Sequence, residues 1–196
     1  MPRRPKFTED EILDAALALV ADAGPDAATI AAISRRAGAP SGSIYHRFRS
    51  RELLLARLWT RTVRRFQLGF LRAFDADSLD GAATDAALHV VRWSREHPDQ
   101  ARVLVLYRRE DLAARWPQEL GDELAAVNAD VDQALRGHAR RRYGRDDAQA
   151  LQRVALALVD IPYAAARRHL LAGNAPPPTL DPLVVAAAHA VLGYAR

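Results

Sequence analysis

Between Arg35 and Glu52 the chain reads RRAGAPSGSIYHRFRSRE, which sets five arginines, two glycines and three serines around an Ile-Tyr-His core. Arginine presents a planar, permanently charged fork that suits phosphate. Serine and histidine can hydrogen-bond to phosphates or to base edges, and a tyrosine hydroxyl can donate to phosphate. Glycine lets a backbone approach a partner closely. Gly42, Ser43, Tyr45, His46, Arg47 and Arg51 are therefore candidates for holding a polyanion rather than for breaking a bond. A solvated arginine-rich surface with no partner is the reading that composition alone leaves open.

These residues need elements to position them, and the flanking sequence supplies helices. Thr8 and Glu11 are spaced as a capping box ahead of Ile12, Ala16, Leu19 and Ala23, and Gly24-Pro25 ends that helix. Thr29 caps a short second helix that turns Ile30, Ile33 and Ala37 inward, and Gly38 stops it where the turn calls for a positive φ. A third helix runs from about Ser41 to Phe48. At 100° per residue, Ile44 and Phe48 share one side of it. Gly42, Ser43 and His46 lie opposite, with Tyr45 and Arg47 on the flanks. Two short helices joined by a glycine turn form a helix-turn-helix, whose second helix enters the major groove of DNA. Ser50 then caps a long fourth helix, to about Phe74, which places Arg51 at its positive N-terminus, where helix dipole and side chain both attract phosphate.

The remaining chain is also helical in pattern, with no alternating stretch that reads as a strand, so the fold class is all-α with about nine helices. Further helices are expected over roughly 80–96, 99–110, 118–142 and 147–171, the last with a kink at Pro162. After AGNAPPPTL, Asp181 and Pro182 read as N-cap and first-turn residues of a final helix. His89, His97, His138 and His169 lack metal-ligand spacing and read as surface or capping residues. No cofactor and no metal site is expected.

Charge is distributed unevenly. The whole chain carries a formal +4, yet residues 1–65 hold twelve Lys/Arg against seven Asp/Glu. Within Ala27 to Arg65, nine arginines face the single acid Glu52. Such asymmetry points to a polyanionic partner. The arm PRRPK has prolines and cations without a fold of its own. The chain contains no cysteine, which excludes disulfides, thiolate metal sites and cysteine nucleophiles. It also shows neither a signal-peptide apolar run nor a membrane-spanning one, so a cytoplasmic location is expected.

TIAAISRRAGAPSGSIYHRFRSRELLLARLW, from Thr29 to Trp59, closely resembles the DNA-binding segment of the tetracycline-repressor (TetR) family, and the preceding helix from Thr8 matches too. The resemblance covers about the first 60 residues and is almost silent beyond them. It implies a homodimer whose N-terminal domain, residues 1–52, reads a palindromic operator. The remaining domain, residues 53–196, would dimerise and bind a small apolar or aromatic effector. By family pattern Thr29, Gly42, Ser43, Tyr45, His46 and Arg51 fall on positions that commonly touch DNA. Ser41, also counted with them, stands where lysine or arginine is frequent, and Ala31 cannot read a base. Specificity then leans on Ser43, His46 and Arg47.

For the effector, the aromatic residues Phe66, Phe70, Trp93, Tyr107, Trp116 and Tyr163 are candidates to line a cavity. The segments ALQRVALALVDIPYAAARRHLL and PLVVAAAHAVLGYA are too apolar to be covered on one side only, and pairing with their copies would form a four-helix bundle. The expected function is a repressor released from DNA by its effector, through displacement of the long fourth helix. The alternatives are a sequence-indifferent DNA-packaging protein and a small helical enzyme. The sequence contains no HExxH, GxSxG or P-loop motif that would favour the enzyme.

Overall fold

The computed structural model describes residues 7–107 and 121–194. Its first helix starts where the sequence places a cap. The Glu11 N–H donates to Thr8 Oγ1 at 3.2 Å, while the Thr8 N–H donates to Glu11 Oε2 at 2.7 Å. From there α1 (Glu9–Ala23) buries Ile12, Leu13, Ala16 and Val20, and Ala23 is exposed at its end. A 3₁₀ turn, Pro25–Ala27, leads to α2 (Ile30–Ala37) and α3 (Ser41–Arg47). Then Ser50 Oγ accepts the Leu53 N–H at 3.0 Å and opens α4 (Arg51–Arg72), which spans 22 residues. With a rise of about 1.5 Å per residue, a helix of that length reaches some 30 Å, so it can belong to more than one core.

It does. Leu54, Leu58, Trp59 and Val63 of α4 pack with Ile12, Ile33, Ile44 and Phe48 in the N-terminal core, which also takes in Val103 and Val127 from later in the chain. Further along, Phe70 joins a second core with Val90, Leu135, Val154, Leu158 and Leu192. The middle of the body is α5 (Leu79–Glu96), where Ala82, Ala83, Ala86 and Ala87 are buried and let neighbouring helices approach closely. Around it lie α6 (Pro98–Leu106), α7 (Gly121–Ala126), α8 (Ala129–Tyr143), α9 (Ala148–Ala155), α10 (Ile161–Leu171) and α11 (Leu180–Leu192). The protein is all-α, and no strand occurs among the described residues.

Four expectations are modified, each for a local reason. The helix expected over 99–110 ends at Leu106, because Tyr107 is extended (φ −108°, ψ 126°). That expected over 118–142 is broken at Val127 and Asn128, where the Gln67 side-chain amide donates to the Val127 carbonyl at 2.8 Å and to Asn128 Oδ1 at 3.0 Å. Between α9 and α10 the chain widens into a π-helical turn, Leu156–Asp160. Pro162 lacks an N–H and would crowd a carbonyl one turn back, and the wider turn meets that demand. Finally, Asp181 does not cap α11. Its carboxylate accepts instead from Arg95 at 2.6 Å and from Arg92 at 3.1 Å, which pins the start of α11 to α5.

Candidate nucleic-acid interface and ligand cavity

The turn between α2 and α3 is built from short-range hydrogen bonds. Gly38 takes φ 65°, in the left-handed region that glycine occupies without strain. Ser34 Oγ donates to the Ala39 carbonyl at 2.6 Å, and the Ala39 N–H returns to Ser34 O at 3.1 Å. This fixes α3 so that Ile44 and Phe48 are 0% and 1% exposed in the core. On the opposite side Ser41, Gly42 and His46 are exposed, Ser43 is half-buried and Tyr45 is 53% exposed. A Cβ added at Gly42 would meet nothing within 4 Å, so the backbone there faces open space. No side chain caps the first turn of α3. Thr29, exposed at the start of α2, accepts the Ala32 N–H at 3.1 Å and keeps its own proton to donate.

Arg47 and Arg51 are placed differently from the rest of the set. The Arg47 guanidinium donates to the carbonyls of Ser43, at 3.1 Å, and Phe7, at 2.5 Å. That of Arg51 donates to Ala28 O at 2.8 Å and Pro25 O at 2.5 Å. Both thus fasten parts of the head together: Arg47 ties the segment before α1 to α3, and Arg51 ties the loop before α2 to the start of α4.

A cavity of about 370 Å³ lies in the body, between α4, α5, α6, α8, α9 and α10. Four of the six aromatic candidates line it: Phe66, Phe70, Trp93 and Tyr163. Phe66 stacks on Phe70 at 6.0 Å and meets the Trp93 ring edge-on at 5.2 Å. Behind Phe66 the His89 ring lies 5.0 Å away, its Nε2 2.8 Å from the Phe66 carbonyl, and burial holds its pKa below the ordinary value. The polar lining is small. Gln67 is held by Val127 and Asn128, and Ser94 Oγ donates to the Val90 carbonyl of its own helix at 2.7 Å. Asp132 and Asp160 complete it from exposed positions.

Residues 12–58 match the family described as bacterial regulatory proteins, tetR family. Over that stretch, which runs from α1 into α4, the chain is similar to this family. Solved structures agree over nearly its whole length. FadR from Bacillus halodurans, a fatty acid degradation regulator, superimposes with a TM-score of 0.73 at 18% identity, covering 96% of this chain and 100% of the other. FadR from Bacillus subtilis, solved in complex with stearoyl-CoA, gives 0.74 at 13% identity with coverages of 96% and 100%. PfmR from Thermus thermophilus, a TetR-family transcriptional regulator, gives 0.71 at 15% identity, with coverages of 94% and 99%. These likenesses establish the fold. No protein of curated function matches the sequence.

The structure leaves Ser41, Gly42, Tyr45 and His46 exposed on α3, with Ser43 half-buried among them. Of the two remaining aromatic candidates, Tyr107 does not line the cavity. It packs against the N-terminal core, its hydroxyl buried without a partner among the described residues. Burial pushes that phenol up to about 12. Trp116 lies outside the described residues, as does the PRRPK arm. Trp59, Gln67, Asp132 and Asp160 were missed as cavity residues. For Trp59 a signal existed, because it precedes Val63, Phe66 and Phe70 at the spacing of one helical face. His138 corrects the reading of the histidines, since it is fully buried and not on the surface.

Proposed function

We propose that the chain is a homodimeric repressor that binds a palindromic operator and releases it when a small molecule occupies the cavity. The observation that carries the DNA-reading half is the division of α3, with Ile44 and Phe48 in the core while Gly42, Ser43, Tyr45 and His46 face outward. In this reading Thr29, Ser41 and Tyr45 contact phosphates, Ser43 and His46 reach base edges, and Arg47 and Arg51 hold the head in shape as well as adding positive potential. Residues 1–52 act as the DNA-binding unit and 53–196 as the effector-binding and dimerising unit, with α4 shared between them.

Dimerisation is supported by apolar side chains left outside. Leu183 is 63% exposed on the same face of α11 as exposed Ala186 and Ala190, Tyr194 just beyond the helix is 61% exposed, and Leu156, 41% exposed, lies beside Ala190 and Tyr194. Pairing these surfaces across a two-fold axis would make a four-helix bundle. Two recognition helices about 34 Å apart would then meet successive major grooves. The placement of α4 supports release by an effector. Phe66 and Phe70 of α4 line the cavity while Leu54 and Leu58 of the same helix sit in the head core. An effector that favours a displaced α4 changes head separation, with a coupling on the order of 1–3 kcal/mol.

Selection of bound DNA from a random pool tests the reading. The expected product is an inverted repeat whose half-sites lie about one helical turn apart. Random DNA that competes as effectively as the selected sequence at fixed salt, a specificity ratio near one, would instead mark a packaging protein.

A further inference from the structure

The charge around the cavity restricts what it accepts. Its wall is mostly aromatic and apolar, and Trp59, Phe66, Phe70, Trp93 and Tyr163 are among the residues that line it. Among the described lining residues there is no Lys, Arg or His, whereas two carboxylates, Asp132 and Asp160, are present. This is unusual for the molecule, whose sequence holds 28 Lys/Arg against 24 Asp/Glu. Asp10, Asp14, Asp80, Glu123, Asp146 and Asp181 are each matched by arginine at 3.1 Å or less, whereas Asp132 and Asp160, like several other surface acids, are in no such pair among the described residues. Both are exposed, Asp132 near the start of α8 and Asp160 at the end of the π-helical turn, as is Tyr163, while Trp59, Phe70 and Trp93 are buried.

Resting on the proposal that the cavity binds an effector, we infer that its ligand is a lipophilic cation: an apolar or aromatic body with an ammonium-type head. The body removes apolar surface from water against Phe66, Phe70 and Trp93. The head meets two unpaired carboxylates and the negative faces of aromatic rings, both of which attract a cation. A carboxylate or phosphate head would have to enter beside Asp132 and Asp160 with no described cation to receive it. The stearoyl-CoA found with Bacillus subtilis FadR has a multiply charged anionic head of this kind, so the two proteins are expected to differ in ligand class.

Isothermal titration of the full-length protein with decyltrimethylammonium, decanol and decanoate, below micelle formation and at one ionic strength, separates the possibilities because the chain is held constant while charge varies. The cation should bind about tenfold more tightly than the alcohol, with decanoate weakest. In the Asp132→Asn/Asp160→Asn protein, checked for unchanged sedimentation and unfolding midpoint, the cation should fall to the affinity of the alcohol. Equal affinities, or tighter binding of decanoate or stearoyl-CoA, overturn the cation assignment and leave the effector cavity standing. Persistence of the full cation preference in the double variant overturns the role of these carboxylates. Absence of binding by all the probes overturns both this inference and the effector reading beneath it.

Discussion

Arg47 carries the charge expected of a DNA contact, yet its guanidinium donates to two backbone carbonyls of the head. The Ser43 side chain, half-buried on the outer side of α3, is free of that duty. The two should therefore respond differently to alanine. Arg47→Ala is expected to lower stability by about 1–3 kcal/mol, as loss of charged hydrogen bonds does, and to weaken binding to all DNA alike. Ser43→Ala should leave stability within about 0.5 kcal/mol and shift preference between operator sequences. Urea unfolding and competition binding with single-base operator variants measure both, and a sequence-selective effect from Arg47→Ala would return it to the reading set. His138 makes a separate prediction. Both ring nitrogens are buried without partners among the described residues, the Phe74 ring packs against it at 5.9 Å, and its pKa is depressed to about 4. Burial is the main cause, reinforced by Arg142 and Arg141 and opposed by Asp80. Its folded pKa is below the ordinary 6.5, so the unfolded chain takes up the proton first as pH falls. Stability is full above about 6.5 and declines toward about 4, by about 3 kcal/mol at most. Unfolding free energies at pH 7 and pH 4.5 should differ less for His138→Leu than for the natural chain, and equal differences would exclude His138 as the source.

Helix contacts decide how the cavity wall is held, and Gly69 shows why α4 can lie close to α5. A Cβ there would stand 2.2 Å from the His89 ring, which is itself fixed by its hydrogen bond to Phe66 O. Gly69→Ala should therefore cost about 1–3 kcal/mol and, by displacing His89, disturb the Phe66 ring that lines the cavity. Chemical unfolding together with titration of a cavity ligand reads both, and an unchanged midpoint would show that His89 yields freely. Nothing in the sequence around Gly69 predicts this, because close approach is a property of two helices far apart in the chain. What was legible was local. The Thr8–Glu11 box, the Thr29 and Ser50 caps, the positive φ of Gly38 and the inward turn of Ile44 and Phe48 all follow from residues within a few positions of each other. What was not legible depended on partners: Asp181 looks like a cap until Arg92 and Arg95 are brought beside it, and Tyr107 looks like a pocket aromatic until α6 carries it against the head. Pro162 announced an irregularity correctly, but not that a π-helical turn would absorb it.

At the scale of the whole molecule the open surfaces have to be accounted for together. In the proposed reading a single head offers one short recognition helix, while Leu156 of the π-helical turn, Leu183 of α11 and Tyr194 just beyond it are left in water. If those side chains meet their copies, the two heads bind one duplex as a linked pair, and the second contact is made at high effective concentration. Breaking the pairing should then reduce operator affinity without touching the head. Leu183→Glu places a charge on an exposed position of α11, so the protomer should keep its fold and its unfolding cooperativity. Across a two-fold axis, however, the substitution introduces two buried charges at once. The expected outcome is a monomer by sedimentation equilibrium and a loss of operator affinity of roughly 10²- to 10⁴-fold, the range over which bivalent attachment commonly exceeds single attachment. A Leu68→Glu substitution, at another exposed leucine but on α4, serves as the control and should remain dimeric. A Leu183→Glu protein that sediments as the natural chain does and still binds its operator would move the interface elsewhere, and with it the spacing imposed on the two recognition helices.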